Sequence, residues 1–163
     1  MENLTNDLKK IVKDYYIFKS KEELQEAVNL WYNGKWYNED KDKALKKYGD
    51  ISHWNTSLIT DMSVLFYECN HFNDDISEWD VSNVTDMSEM FYNCEEFYQD
   101  ITQWNVSNVT NMHRMFCFCS NFNKSLNKWN VSNVTDMSWM FVNCYEFNQP
   151  LDKWDVSNVT DMR

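Results

Sequence analysis

The chain repeats itself every 25 residues, with no insertion or deletion between repeats. Five tryptophans mark the period: Trp54, Trp79, Trp104, Trp129 and Trp154. Four of them open a shared phrase, Trp-x-Val-Ser-Asn-Val-Thr-x-Met. A fixed period of this length is typical of solenoids, in which each unit buries its apolar face against its neighbours.

Two apolar patterns follow each other within one repeat. The first has the L-x-x-L-x-L-x-x spacing of a leucine-rich repeat, and its alternation predicts a short strand. It consists of Ile76, Trp79, Val81 and Val84. The second has steps of three and four residues, which predicts a short helix through Met87, Met90 and Phe91. We therefore expect residues 51–163 to form an α/β leucine-rich-repeat-type solenoid of about five repeats, with parallel strands on one face and helices on the other.

Stacked repeats would align equivalent residues on adjacent coils, about 4.8 Å apart where strands pair. Four apolar positions are expected to form such columns. The methionine column is Met62, Met87, Met112, Met137 and Met162, and the cysteine column is Cys69, Cys94, Cys119 and Cys144. The two phenylalanine columns are Phe66, Phe91, Phe116 and Phe141, and Phe72, Phe97, Phe122 and Phe147.

Glycine and proline are scarce, with Gly 2 and Pro 1 in the whole chain. Asn, Asp and Ser must therefore form the turns, because their side chains bond nearby backbone groups and tolerate unusual dihedral angles. The same residues create Asn-x-Ser/Thr triplets, which read alone would indicate glycosylation. We prefer the structural interpretation, in which these side chains satisfy backbone groups. The triplets include those at Asn83, Asn105, Asn108, Asn130, Asn133 and Asn158.

Residues 1–50 do not fit the repeat and are predicted to form a helical N-terminal cap, which repeat arrays need at their ends. Ser20 opens a capping-box pattern, and an apolar stripe at helical spacing follows it. The stripe consists of Leu24, Ala27, Val28 and Trp31. We expect this helix to end at Asn33-Gly34, and a second helix to run from about Asp40 to Lys47.

The phrase Val-Ser-Asn-Val-Thr-Asp-Met-Ser-x-Met-Phe-x-x-Cys-x-x-Phe-Asn-x-x-Ile-x-x-Trp resembles the repeat of the BspA-like leucine-rich repeat proteins. The resemblance covers roughly residues 48–163. These proteins occur on bacterial surfaces, in mycoplasma lipoproteins, in protists and in large DNA viruses. The resemblance implies a right-handed solenoid and, in some members, adhesion or protein binding. It implies no enzyme activity and no cofactor.

The net charge of −11 lies entirely on the repeats. Residues 1–50 hold 10 Lys and 10 Asp or Glu, whereas residues 51–163 hold 5 Lys or Arg and 16 Asp or Glu. Phosphate backbones and anionic lipids would be repelled, which argues against nucleic-acid binding.

Residues 1–20 lack the apolar core of a signal peptide, and no run reaches the length of a membrane span. The sequence favours an intracellular or virion-associated protein over a secreted one, with reduced cysteines.

The sequence indicates no catalytic site, metal site or cofactor. His53, His71 and His113 show no spacing with Ser, Cys or Asp that marks a nucleophilic relay, so an enzyme is not expected. Cysteines in line along a stack cannot converge on zinc. They could approach within the roughly 4.4–6.8 Å that a disulfide needs, but we prefer buried, reduced thiols. Cys117 lies off the column and is expected to be the most reactive.

An acidic series also recurs at the repeat interval. It comprises Asp61, Asp86, Asp136 and Asp161, interrupted by Asn111. Calcium is bound by several oxygens around one ion, whereas this column offers about one carboxylate per coil. We therefore interpret these residues as acids at helix starts.

The first candidate site lies beside the tryptophans. The residues before and after each Trp are expected to point away from the core and form two parallel columns. We call these ten residues the polar face: His53, Glu78, Gln103, Lys128 and Lys153 before the Trp, and Asn55, Asp80, Asn105, Asn130 and Asp155 after it. The first column changes from acidic to basic, which suits a protein partner of opposite polarity. Drift at exposed positions is the alternative.

The second candidate site is the last repeat, where the sequence stops before its predicted helix. Its apolar residues are expected to lack a coil on one side, and such an edge is a template for association. We call them the terminal edge: Leu151, Trp154, Val156 and Val159. Variable apolar residues on the helix side either form a contact patch or pack on neighbouring coils. They are Tyr92, Phe118, Trp139 and Val142.

These patterns lead to one functional hypothesis and one alternative. The hypothesis is a non-enzymatic protein–protein interaction module that binds through the polar face. The alternative is a structural or assembly subunit, for instance in a viral particle, that forms a homo-oligomer through the terminal edge.

Overall fold

Two helices precede the repeats in a computed structural model that describes residues 16–32 and 39–163. Helix α1 spans Lys21–Trp31, helix α2 spans Glu39–Tyr48, and a short 3-10 turn spans Ile51–His53. The Ser20 side chain accepts a hydrogen bond from the backbone N–H of Glu23, as its capping pattern predicts. Both predicted helices are confirmed, whereas Asn33-Gly34, the predicted end of α1, lies outside the described residues.

Helix α1 packs its apolar stripe against the start of the repeats. All four stripe residues are buried: Leu24, Ala27, Val28 and Trp31. The Trp31 ring lies 5.7 Å from the Trp54 ring, and its indole N–H donates to Asp74 at 3.1 Å. Lys21 Nζ lies 2.9 Å from Asp61 Oδ1. The helix thus contacts the first repeat at several points, while the domain boundary at residue 50 stays a prediction.

From residue 51 onward, 25-residue units stack on one another. We number them unit 1 to unit 5, with ranges 51–75, 76–100, 101–125, 126–150 and 151–163. Each unit forms one parallel, single-residue bridge with the next, at Asp61–Asp86, Asp86–Asn111, Asn111–Asp136 and Asp136–Asp161. Backbone hydrogen bonds keep the same offset: Thr85 N donates to Thr60 O at 2.8 Å, and Thr110 N donates to Thr85 O at 2.9 Å.

The two predicted phenylalanine columns are confirmed, and they lie in the core. Phe66, Phe91 and Phe116 stack in succession with 5.6 Å between ring centroids, and the second phenylalanine column stacks at 5.7–6.0 Å. Units 1 to 4 each also pair their own two phenylalanines, as for Phe66 and Phe72 at 3.9 Å. Most of the methionine column is buried, but Met162 is exposed. The phenylalanine columns run through units 1 to 4 and keep these units in register.

The leucine-rich-repeat fold predicted from the sequence is wrong in its strands. Within residues 16–32 and 39–163, pairing between units is limited to single-residue bridges, so no parallel sheet forms. At the predicted strand, Trp79 N donates to Ile76 O at 3.2 Å and Val84 N donates to Val81 O at 3.0 Å. Turns therefore use the donors that strand pairing would need. Asp80 adds a side-chain bond to Ser82 N at 3.0 Å, which favours the turn over extended pairing.

The predicted helices on the opposite face are also wrong. Where the sequence predicts a helix, Met90 N donates to Met87 O at 3.2 Å, three residues back and not four. The neighbouring N–H groups leave the unit altogether: Glu89 N donates to His113 O at 2.8 Å and Phe91 N donates to Met115 O at 3.0 Å. Successive backbone N–H groups thus donate alternately to a carbonyl of the same turn and to a carbonyl of the next unit. We call this part of each unit, residues 62–69 in unit 1 and its equivalents, the turn segment.

Two positions in each turn segment have positive φ without a glycine. Positive φ is sterically unfavourable for non-glycine residues, and Asn tolerates it better than most. Asn93 and Asn143 occupy the second position at φ 58° each. The other six residues are Val64, Glu68, Glu89, Arg114, Phe118 and Trp139, with φ between 52° and 64°. Strain is therefore built into the turn segments.

In units 2 to 4, one tryptophan and one cysteine side chain donate hydrogen bonds to the unit before. The Trp104 indole N–H donates to Ile76 O at 3.2 Å, and the same bond recurs 25 residues later from Trp129 to Ile101 O at 3.1 Å. The Cys94 thiol donates to Phe66 O at 3.0 Å, and the Cys119 thiol repeats this bond at 2.9 Å. Tryptophan and cysteine therefore contribute a specific donor as well as apolar volume.

All five cysteines are free, and burial controls their chemistry. Burial raises the pKa of Cys69 and of Cys144 to about 12, and it raises the pKa of Cys94 and Cys119 well above the usual value. Cys117 is buried as well, and burial raises the pKa of its thiol. Because the thiolate is the reactive form, burial protects all five thiols, and the prediction that Cys117 is the most reactive of them stays a prediction.

Relief of strain in the turn segment is expected to stabilise the fold. Glu68 is exposed at φ 59°, where two later units carry Asn. Glu68→Asn should raise the free energy of unfolding by about 0.5–1 kcal/mol, because Asn tolerates the left-handed region. Urea denaturation measures the change. Glu78→Asn, at an exposed position without positive φ, is the matched control and should not stabilise. Equal effects of the two substitutions would show that Glu68 is not strained.

The thiols are expected to be protected in the native protein. At pH 8, Ellman's reagent should modify them slowly, because the neutral form dominates and the sulfurs are shielded. In guanidinium chloride all five should react at once. One fast-reacting native thiol that disappears in Cys117→Ser would contradict the burial described for that residue.

Candidate interaction surfaces

The ten residues of the polar face lie in two columns beside the buried tryptophans. The column before the tryptophans is exposed throughout: His53, Glu78, Gln103, Lys128 and Lys153. In the column after them, Asn55 is half-buried and the other four are exposed. The flanked Trp79 and Trp104 are 3% and 4% exposed, so the two columns border a closed core.

The column after the tryptophans is held in place by turns. Asn55 Oδ1 accepts from Ser57 N at 3.0 Å, and Asp80 Oδ1 accepts from Ser82 N at 3.0 Å. The same bond recurs at Asn105, Asn130 and Asp155, at 3.1–3.2 Å. Hydrogen bonds from the Ser157 side chain and backbone also lower the pKa of Asp155. These side chains are therefore ordered before any partner arrives.

A groove opens at the unit 1 end of the polar face. It has a volume of about 440 Å³ and includes His53, Asn55, Glu78 and Asp80 among its lining residues. Four of the ten polar-face residues thus share one concave surface, which spans two units.

Next to the polar face, exposed asparagines and threonines bond from unit to unit. Asn108 Nδ2 donates to Ser82 O at 2.7 Å, and Thr110 Oγ1 donates to Thr85 O at 3.1 Å. The equivalent bonds recur at Asn133, Asn158, Thr135 and Thr160. These bonds agree with the structural interpretation of the Asn-x-Thr triplets.

The carboxylates of the acidic column also accept hydrogen bonds from backbone N–H groups in turns. Asp86 Oδ1 accepts from Ser88 N at 2.8 Å, and its Oδ2 accepts from Asn111 Nδ2 at 3.1 Å. Asp136 makes the same turn with Ser138 at 2.8 Å. In the described part of the chain, no group of three or more His, Cys, Asp or Glu residues is arranged to hold a metal ion.

The terminal edge surrounds an apolar groove. Leu151, Trp154 and Val159 are half-buried, and Val156 is exposed. The first two and Val156 line a groove of about 470 Å³ together with Met140, Phe141 and other residues of units 4 and 5. The Trp154 indole still donates to Leu126 O at 2.9 Å, so unit 5 stacks as its predecessors do.

The turn segments carry a row of partly exposed aromatic rings. We call Tyr67, Tyr92, Phe118 and Trp139 the aromatic stripe. Tyr67 and Tyr92 stack at 4.7 Å with 7° between their planes, and Tyr92 meets Phe118 edge-on at 5.6 Å. The Arg114 guanidinium lies over the Trp139 ring at 5.6 Å. The sequence singled out Tyr92, Phe118, Trp139 and Val142 as variable apolar positions, but it did not single out Tyr67. The positive φ of Phe118 and Trp139 was not foreseen.

Helices long and apolar enough to cross a membrane do not occur among residues 16–32 and 39–163.

Residues 37–141 and 93–163 match a protein family described as "Mycoplasma protein of unknown function, DUF285". Searches of curated proteins and of solved structures found no match. The family match begins just before α2 and extends through every stacked unit. Because the two matches together cover more than half of the chain, the protein belongs to this mycoplasma-associated family, DUF285.

Proposed function

We propose that this chain is a non-enzymatic protein–protein interaction module that binds through the polar face. The observation that carries the proposal is the order of that face. Its second column is fixed by side-chain bonds to the backbone, as at Asp80 and Asn105. Preordered side chains lose little conformational entropy on binding, which favours recognition.

The chemistry of the first column supports a protein partner. Its exposed side chains pass from Glu78 through Gln103 to Lys128 and Lys153. A graded row of charge fixes the orientation of a partner with the opposite gradient. The repeat phrase adds support, because it resembles that of BspA-like proteins, some of which bind other proteins.

Charge reversal at the basic end of the polar face tests the proposal. The double substitution Lys128→Glu, Lys153→Glu should reduce the amount of captured partner at least tenfold, because two attractive contacts become repulsive. Quantitative mass spectrometry of proteins captured from a host lysate measures this reduction. Lys124→Glu is the matched control, since Lys124 lies over the Tyr98 ring at 3.4 Å and outside the polar face. Capture that the double variant leaves unchanged would rule out this face.

Assembly through the terminal edge is the second candidate function. It is favoured by the apolar groove of about 470 Å³ that Leu151, Trp154 and Val156 help to line. Association that removes such an apolar groove from water lowers the free energy of the system. A structural subunit that self-associates there is the alternative to a binding module.

A charge in this groove is expected to disrupt assembly. If the chain self-associates through the terminal edge, Val156→Asp should convert the oligomer to a monomer, because burying an unpaired carboxylate is costly. Size exclusion with light scattering over a wide concentration range measures the mass. Leu58→Asp, at an exposed site in unit 1, is the control, and circular dichroism checks the fold of both variants. A wild-type monomer at every concentration would rule out assembly.

A further inference from the structure

We infer that the terminal edge and the turn segment of unit 4 together bind a repeat segment of another chain. The segment carries the Met-Phe-x-x-Cys-x-x-Phe pattern that units 2 to 4 share. Self-association at this edge is the second candidate function, whereas the partner inferred here is a different one, and the two are tested separately. The observation behind it is a hydrogen-bond pattern between units that is complete at three interfaces and half complete at unit 4.

Four backbone N–H groups of each complete turn segment donate to the next unit. In unit 3 the donors belong to Met112, Arg114, Phe116 and Phe118, and they reach the carbonyls of Asp136, Ser138, Met140 and Val142 at 2.8–3.0 Å. The equivalent four bonds join unit 1 to unit 2 and unit 2 to unit 3. Each interface thus requires an acceptor at every second residue of the incoming segment.

The turn segment of unit 4 makes only the first half of this pattern. Its first two donors, Met137 N and Trp139 N, reach carbonyls of unit 5 at 2.9 Å and 2.6 Å. Within residues 16–32 and 39–163, no backbone carbonyl accepts from Phe141 N or Asn143 N. Backbone donors that become buried need acceptors, so these two are available to the backbone of a partner.

The side chains beside these donors are covered on one side only. Phe141 and Phe147 stack on rings of unit 3 at 5.7 Å and 6.0 Å. Both are half-buried, whereas their equivalents in units 1 to 3 are completely buried. Cys144 is half-buried too, whereas Cys94 and Cys119 are completely buried. A segment with Phe and Cys at the same spacing would cover these side chains as each unit covers its predecessor, with a gain from apolar burial.

The apolar groove of about 470 Å³ lies at the same place. Its lining includes Phe141 and Val142 of the turn segment as well as Trp154 and Val156 of the terminal edge. A small apolar molecule in this groove would offer no carbonyl to Phe141 N or Asn143 N, and a buried donor without a partner costs free energy. Groove and donors together therefore select a polypeptide segment.

A second folded copy does not present the required carbonyls. In units 2 to 4 they already accept from the unit before, as Met115 O does from Phe91 N at 3.0 Å. In unit 1 the equivalent Leu65 O accepts from Gln25 Nε2 of helix α1 at 3.0 Å. Helix α1 thus lies over the end of the stack that would match the donors of unit 4. The partner is therefore a chain whose repeat segment is not already stacked.

A fluorescent peptide with the sequence of residues 139–150 and blocked termini tests the inference on the full chain. Glu146 is its one charged side chain, so charge attraction to the acidic repeats does not favour binding. Two ester-containing versions probe the backbone bonds, since an ester carbonyl is a weaker acceptor than an amide carbonyl. The test ester follows Met140 of the peptide, whose carbonyl would accept from Phe141 N. The control ester follows Asn148, whose carbonyl accepts nothing from the preceding unit within the described residues.

Fluorescence anisotropy under reducing conditions should show saturable 1:1 binding of the peptide to the wild-type chain. Affinity should fall at least threefold for the test ester and stay within twofold for the control ester. It should fall at least tenfold for a scrambled peptide and for Val156→Asp, which places a charge in the groove. Leu58→Asp, at an exposed site in unit 1, should bind as the wild type does. Circular dichroism verifies the fold of both variants, and the ester comparison decides the question even where Val156→Asp disturbs the last unit.

Absence of saturable binding, equal binding of the scrambled peptide or equal binding of the two esters would each overturn the inference. Wild-type dimers that Val156→Asp dissociates and that the peptide leaves intact would assign the edge to a second copy, which supports self-association and overturns the partner inferred here. A wild-type monomer that binds the peptide would rule out self-association and support the inference. Capture of a partner by the polar face is a separate result, because Lys128→Glu with Lys153→Glu should leave peptide binding within twofold.

Discussion

Hydrogen bonds between neighbouring units are the constraint on which the rest of the structure depends. In each turn segment alternate backbone donors point to the next unit, as Phe66 N does to Met90 O at 2.9 Å. A buried donor without a partner is costly, so a single unit cannot satisfy its own backbone. The Trp104 and Cys94 side chains add donors to the preceding unit. One inserted residue would misalign all these bonds, which explains the constant period.

The sequence predicts the core of the stack but not its local conformation. Columns follow from identity of residues at the repeat interval, so stacking of Phe66 on Phe91 is predictable. Strand and helix are not, because consecutive turns bury the same positions: Trp79 and Val81 are buried and Asp80 is exposed, as a strand would require. Apolar spacing reports burial, whereas the choice between turn, strand and helix depends on the acceptor of each N–H.

The same distinction between burial and local conformation separates the polar face from the aromatic stripe, because only the first could be predicted from the sequence. Exposure of the polar face was predictable because its positions flank buried tryptophans such as Trp79. The aromatic stripe was visible in the sequence only as apolar variation, since Phe118 and Trp139 give no signal of positive φ. Tertiary bonds between units impose that conformation. The resulting stack presents one ordered polar surface and one aromatic surface, two of whose rings lie at positive φ, on a common core.

Removal of one whole unit tests the account most directly. Deletion of residues 101–125 keeps every column in register, because it removes one period of 25 residues. Deletion of residues 102–125 removes one residue fewer and shifts unit 4 against unit 2. Thermal unfolding followed by tryptophan fluorescence should show a cooperative transition for the first chain and none for the second. Cooperative unfolding of both chains with similar midpoints, or of neither, would contradict a fold that depends on register between units.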